Sequence, residues 1–353
     1  MATRPNKKST VVIYRQGRTT GEGVANTRRR VGLRPFCFDG RYLSPKTIAM
    51  TDSLPTGLPD PTCSLGVVIV NYQTFDLTMQ CVASLLEHGI VKAEHIVVVD
   101  NHSPDQSGAR LDQSLPHGVV RVLSKVNGGF GAGVNLGVQA LKTDLVLVLN
   151  PDTMFLRNNM DVVRRLFDQR PRLGVVGLKL INPDGSLQYS ARRFYSLPDI
   201  VARRTALGKL GPMRRLERSH LLIRKWREEP FEADWVMGTG FVVRRHAFEQ
   251  VGRMDEGYFL YFEEVDLCAR MWAHGWRVLA VPEVELVHDH QRASGAGILS
   301  PSGKTHLRSM VRFFAKFGVP WFRRPSRYRM AIALARWRQS AQAGRLSKPQ
   351  HEG

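Results

Sequence analysis

Three short apolar runs constrain what this chain can fold into more than any other feature. Residues 65–70 read LGVVIV, residues 96–99 read IVVV and residues 145–149 read LVLVL. Each is brief and rich in β-branched residues, and helix-length segments separate them, among them an amphipathic stretch at 77–88. Runs of this kind are expected as buried parallel strands of βαβ units. The predicted class is therefore α/β, with a Rossmann-like, mostly parallel central sheet and helices on both faces. Each run ends in polar residues: Asn71-Tyr72, Asp100-Asn101-His102-Ser103 and Asn150-Pro151-Asp152. Open sheets of this type bind ligands beyond the carboxyl ends of their strands, so these three ends mark the candidate cleft.

Between the second and third runs lies a glycine-rich segment, residues 127–137, NGGFGAGVNLG. Glycines entering a helix allow close approach of backbone to a phosphate, and they equally allow a helix to pack tightly on a strand. The spacing matches neither a dinucleotide fingerprint after the first strand nor a P-loop. Asp152, after a strand and a turn-setting proline, points to a hard-cation ligand. The same residue could simply open a turn. Farther along, Trp235-Val236-Met237-Gly238-Thr239-Gly240-Phe241 precedes an aromatic stretch that runs into Glu263-Glu264-Val265-Asp266-Leu267-Cys268-Ala269-Arg270. Three acids in a predicted first helical turn suit the helix dipole, and burial beside aromatics would raise a carboxylate's pKa towards that of a general base. An acidic helix cap with a structural acid–arginine pair is the plainer alternative.

Charge divides the 353 residues unevenly. The net charge is +20, but residues 1–50 hold 11 Lys/Arg against 2 Asp/Glu, and residues 301–353 hold 12 against 1, while the middle is balanced. Residues 1–62 are read as a basic, disordered tail with a Pro-rich linker, 63–300 as a catalytic domain with halves at about 63–155 and 156–300, and 301–353 as a basic amphipathic helical tail. In that tail Leu307, Met310, Val311, Phe314 and Phe317 recur at helical spacing, and Trp321, Phe322, Arg323, Arg324, Arg327, Arg329 and Trp337 follow. Residues 192–227 add 11 basic against 2 acidic residues. Such flanks fit an anionic membrane surface, nucleic acid, or plain solvation. No run approaches the roughly 18 apolar residues of a membrane span, the first residues lack a signal-peptide core, and the four cysteines form no CxxC pair, as in a reduced cytoplasmic protein.

Taken together, 67–72, 99–103, 127–137, 150–152, 238–240, Glu263-Glu264-x-Asp266-Leu267-x-x-Arg270 and Val287-His288 resemble the inverting family 2 glycosyltransferases of GT-A fold, within them the bacterial rhamnosyltransferase-like group. The resemblance covers about residues 65–318. It implies that Asn71, Tyr72, Asp100, Asn101, Ser103, Asn127, Gly128, Gly129, Asn135 and Asn150 serve the nucleotide sugar. It gives the metal to Asp152 and His288, with Mg2+ or Mn2+ as the divalent cation. Trp235, Gly238, Thr239, Gly240 and Arg270 would form the acceptor wall. Glu264 aligns with the catalytic base, Glu263 and Asp266 being the other candidates. Asn150 stands where many relatives carry a first acid, and Glu264 is one methylene longer than their aspartate. The implied partners are a nucleoside-diphosphate sugar, with dTDP-L-rhamnose ahead of UDP-galactofuranose, and a glycan or polyprenyl-diphosphate-linked acceptor at the inner face of the plasma membrane. A nucleic-acid-binding protein or a nucleotidyltransferase would explain the charge or the nucleotide fold, but not the full set of motifs.

Overall fold

Residues 65–71 are buried on both sides, and side chains alternate across a strand, so the sequence supplies two apolar faces at once. The computed structural model of the protein, which describes residues 12–14, 62–204, 210–226, 229–289, 300–322 and 324–346, builds its sheet outward from this strand. Residues 12–14 and the described residues from 62 onward belong to one compact unit; residues 16–60 lie outside the described residues.

The first half alternates strand and helix. β1 (Val12–Tyr14), β2 (Leu65–Asn71), α1 (Phe75–Glu87), β3 (Ile96–Asp100), α2 (Ser107–Ser114), β4 (Val120–Leu123), α3 (Phe130–Ala140) and β5 (Leu145–Leu149) come first. The second half is less regular. It runs through β6 (Thr153–Met154), α4 (Met160–Gln169), β7 (Leu173–Ile181), β8 (Leu187–Gln188), β9 (Ala191–Arg192), α5 (Leu197–Arg204) and α6 (Gly211–His220). There follow β10 (Phe231–Glu232), β11 (Trp235–Val236), β12 (Gly240–Arg244), α7 (Arg245–Gln250), α8 (Glu263–Ala273), β13 (Arg277–His288), α9 (Pro301–Phe317) and α10 (Arg327–Leu346).

The strand order is β1-β4-β3-β2-β5-β12-β7-β13-β10. β2, β3, β4 and β5 are parallel, as their apolar runs predict. β12 is antiparallel to both β5 and β7, so the parallel order is interrupted at the centre. The two faces carry separate cores. Val67, Ile69, Val98 and Leu147 pack with α1 and α4, whereas Val68, Val70, Val97 and Val99 pack with α3 and the second half. Two glycines of the 127–137 segment serve this packing: a Cβ on Gly133 would strike Val70, and one on Gly137 would strike Val68.

Within the stretch read as an N-terminal tail, β1 pairs antiparallel with β4 at the sheet edge; residues 1–11 and 15–61 lie outside the described residues. The basic C-terminal stretch folds as two helices on the same unit. Phe313 and Phe317 of α9 are buried in the core that holds Leu267 and Met271 of α8, and Met330 and Leu334 of α10 join them. Phe317 is therefore unavailable for insertion into lipid, a role its place on an amphipathic helix had allowed. Leu307, Val311, Trp321 and Phe322 remain exposed. Arg323 lies outside the described residues.

Candidate active site

The ends of β2 and β3 are tied together by side chains. Asn71 Nδ2 donates to Asp100 Oδ1 at 2.7 Å, Ser103 Oγ donates to the same oxygen at 2.6 Å, and the Ser103 amide donates to Asp100 Oδ2 at 3.1 Å. Asn71 Oδ1 accepts from Thr74 and Thr78. Asn71 is thus wholly spent on holding the loop. Asp100 keeps about one of its roughly four lone-pair directions for a ligand. Tyr72 stands exposed beside them. Asn101 Nδ2 reaches Asn127 Oδ1 at 3.1 Å and the Gly129 carbonyl at 3.0 Å, binding the second strand end to the glycine loop.

Gly129 has φ +86°, and a Cβ there would collide with the Phe259 carbonyl, which accepts from the Phe130 amide. Only glycine fits where the loop crosses the entry to the acidic helix. Asn135 departs from its expected place near the ribose and diphosphate. Its amide bonds Met254 main-chain atoms and Glu256, so it fastens α3 to the 254–256 loop.

Asp152 and His288 come from distant parts of the chain and meet because β6 pairs with the end of β13, Thr153 opposite His288. His288 Nε2 lies 3.3 Å from Asp152 Oδ2. The other ring nitrogen faces Gln188 Oε1 at 2.7 Å, and Gln188 Nε2 donates to the His288 carbonyl. A histidine oriented through its far nitrogen is the usual arrangement of a metal ligand. Sequence reading missed Gln188, whose role depends on the β7–β8 hairpin.

The acidic helix begins at a strained point. Tyr261 and Phe262 both have φ +69°, a left-handed conformation that costs of order 1–3 kcal/mol for each non-glycine residue. That turn aims Glu263 and Glu264 into a cavity, and each has one buried carboxylate oxygen without a hydrogen-bond partner among the described residues. Burial, with the neighbouring Glu264 carboxylate, pushes Glu263 well up. Burial also raises Glu264, but its own and neighbouring main-chain amides and the Arg192 charge oppose the rise. Two adjacent carboxyls in one dry site do not both ionise readily, so the pair loses its protons as a unit, with the amides and Arg192 favouring the charge on Glu264. Asp266 has a different environment. It is fully buried, bonded by Arg270, by the Tyr258 hydroxyl at 3.3 Å and by Lys316 at 2.6 Å, and no longer offers itself as a base.

A cavity of about 680 Å³ gathers the chemistry. Of the residues singled out in the sequence, Asn150, Asp152, Trp235, Gly238, Thr239, Glu263, Glu264 and His288 line it. Gly240 and Arg270 do not: Gly240 is a β12 residue that leaves room for Leu286, and Arg270 joins Asp266 to the Val251 carbonyl. Asn71, Asp100, Asn127 and Gly128 lie on the strand-end loops outside its lining. Residues not assigned to the site from the sequence complete the wall, notably Arg192, Tyr195 and Met237, with His306 and Met310 from α9. His306 packs at a tilt against Tyr261 and edge-to-face against Phe262. The amphipathic spacing of α9 was legible, but the side it turns to the cavity was not.

Residues 61–310 match the model of the family described as glycosyltransferase like family 2. The chain belongs to this glycosyltransferase family. It is 31% identical over 300 residues to the N-acetylglucosaminyl-diphospho-decaprenol L-rhamnosyltransferase of Mycobacterium tuberculosis, covering 81% of this chain and 92% of that protein. It is 26% identical over 249 residues to rhamnosyltransferase WbbL of Escherichia coli K12, covering 67% and 88%. Among solved structures it resembles GalNAc-T7 with UDP, GalNAc and Mn2+, at 16% identity and a TM-score of 0.52. That match covers 81% of this chain and 58% of the other, and it places the sheet and helices in the GT-A fold.

In this glycosyltransferase, Asp152 Oδ1 is buried without a hydrogen-bond partner among the described residues, beside an oxygen that already faces His288. Among the described residues no three or more His, Cys, Asp or Glu side chains are placed together to hold a metal ion. One orphaned carboxylate oxygen and one oriented imidazole fit a hard cation whose remaining ligands come from a diphosphate and water.

Proposed function

We propose that the protein is an inverting sugar transferase that moves L-rhamnose from dTDP-L-rhamnose to a hydroxyl of a lipid-diphosphate-linked glycan. The observation that carries the mechanism is the pairing of Glu264 with Asp152–His288 on one cavity. Glu264 would take the acceptor hydroxyl proton as that oxygen attacks the anomeric carbon. The bond to the nucleoside diphosphate breaks on the opposite face, through an oxocarbenium-like transition state and without a covalent intermediate. A divalent cation held by Asp152 and His288 would stabilise the charge developing on the diphosphate. The loops of Asp100, Asn101 and Asn127 would receive the nucleoside, beyond the strand ends where open sheets bind ligands.

The sugar assignment is supported by the rhamnosyltransferase activities for which the relatives from M. tuberculosis and E. coli are named. No helix among the described residues is long and apolar enough to cross a membrane, so a lipid-linked acceptor would be met from the surface. Exposed Trp321 and Phe322, flanked by basic residues, suit contact with an anionic leaflet. A panel of nucleotide sugars offered to the full-length protein with Mg2+ or Mn2+ tests the reading. Turnover is expected with dTDP-L-rhamnose. Turnover confined to UDP-galactofuranose or another UDP-sugar would replace the sugar while keeping the mechanism.

A further inference from the structure

A second cavity, about 660 Å³, lies outside the one that holds Glu264. Its size falls within the roughly 300–1,000 Å³ of small-ligand sites. Six cations line it: Arg193, Arg214, Arg215, Arg218, Arg224 and Lys225, over an apolar floor of Leu222 and Ile223. No carboxylate belongs to the lining among the described residues. None of the six makes a salt bridge among the described residues. A fold that gathers six unpaired like charges around one concavity works against their mutual repulsion, and a bound polyanion removes that cost.

The scaffold beneath the cavity is firm. Arg324 donates to the Leu216 carbonyl and to Ser219 Oγ of α6, while also binding buried Asp199 through Nε and one terminal nitrogen. The Arg193 amide donates to the His220 carbonyl at 2.9 Å. His220 stacks on Tyr195 and approaches Trp235, and these two aromatics line the Glu264 cavity. The two cavities are therefore neighbours. Adjacent residues divide between them, Arg192 lining the Glu264 cavity and Arg193 the basic one.

We propose that this basic cavity holds the diphosphate of a prenyl-diphosphate-linked acceptor. The inference rests on the transfer reading above and names the part of the acceptor that reading leaves unplaced. In such an acceptor the attacked hydroxyl and the diphosphate sit on one sugar ring. When the hydroxyl faces Glu264, the diphosphate must emerge close by, on the acceptor side. Arginine is suited to this because its fork makes paired, charge-assisted bonds to phosphate oxygens.

The test is calorimetric titration of the full-length protein with geranyl diphosphate, with nucleoside diphosphate saturating the donor site. The triple variant Arg214→Gln/Arg215→Gln/Arg218→Gln changes only exposed α6 side chains, and a melting curve checks its fold. Binding in the presence of nucleotide, weakened at least about tenfold in the triple variant with donor affinity unchanged, is the expected result. No binding, displacement by nucleotide, or unchanged affinity in the folded variant overturns the proposal. Displacement by inorganic phosphate at the same concentration would show a simple anion site and also overturns it. Phosphatidylglycerol vesicles form the last arm: a variant that loses the vesicles but keeps geranyl diphosphate would make the patch a membrane contact instead. These readouts need no turnover. Failure of the transfer reading would show separately, as absence of product with every sugar-diphospholipid offered.

Discussion

Replacing Lys316 by methionine should damage this enzyme from a position outside its catalytic cavity. Lys316 sits on α9, only 5% exposed, with its ammonium 2.6 Å from Asp266 Oδ2 and 3.1 Å from Asp255 Oδ2. Asp266 is on α8, two residues after Glu264, so the C-terminal helix is bolted to the base-bearing helix through one cation. Removing one member of a buried ion pair costs about 3–5 kcal/mol, because a charge is left uncompensated. Here the remaining partners soften the loss: Asp266 keeps Arg270 and Tyr258, and Asp255 keeps Arg312 at 2.8 and 3.0 Å. We therefore expect the low end, about 3 kcal/mol, or about 6 °C in Tm at about 2 °C per kcal/mol for a large domain. The pH dependence has a definite sign. Burial opposes ionisation of Asp255, but Lys316, with Arg312 and the Gly257 amide, holds its carboxyl below the usual range. A depressed acid contributes stability that is complete above the unfolded pKa of about 4 and is lost as pH falls through the folded value. The gap between wild type and Lys316→Met should be full at pH 7 and close below about pH 4. Calorimetry across that range reads the gap, and nucleotide titration should find donor affinity preserved while kcat falls. An unchanged Tm at pH 7 would refute the reasoning, since it would mean that this buried network is worth no more than a surface pair.

Three further outcomes follow from the site. Glu263→Gln should retain most of the activity and leave the acidic limb of the kcat/KM profile where it is, since a neutral amide replaces a carboxyl that ionises after Glu264; a loss as large as that of Glu264→Gln would assign the base role to Glu263. In the wild type, the raised pKa of Glu264 should set that acidic limb above about 4.3, the ordinary glutamate value, with rate rising as pH rises through it; a limb in the ordinary range would deny the burial effect. Asp152→Asn should abolish most Mn2+ dependence of turnover in a metal titration, whereas wild-type activity of that variant in EDTA would remove the metal role.

Much of the donor half was legible because its signals are local. A β-branched run reports a buried strand, and the polar residues at its end report the cleft, so Asn71, Asp100 and Asp152 could be placed by eye. What those residues do was less legible. Asn71 and Asn135 look like ligand-facing amides in one dimension, yet their hydrogen bonds are taken up by Thr74, Thr78 and the 254–256 loop. Asp266 read as one acid among three, and only the arrival of Lys316 from 50 residues downstream separates it from Glu264. The second half carries short strands and long-range pairings such as β9 with β11, which leave no periodic trace. Arg192 and Tyr195 were therefore missed, and the amphipathic spacing of α9 fitted a membrane-facing helix and a packed one equally, whereas Phe313 and Phe317 lie in the core beneath it.

The most direct test of the account is the stereochemistry and rate of one transfer, followed by NMR with wild type and with Glu264→Gln under saturating nucleotide sugar and divalent cation. The account predicts a product of inverted anomeric configuration from the wild type, and a rate lower by at least about 100-fold in Glu264→Gln with donor affinity unchanged. A retained configuration, or turnover by Glu264→Gln within a few-fold of the wild type, would contradict it.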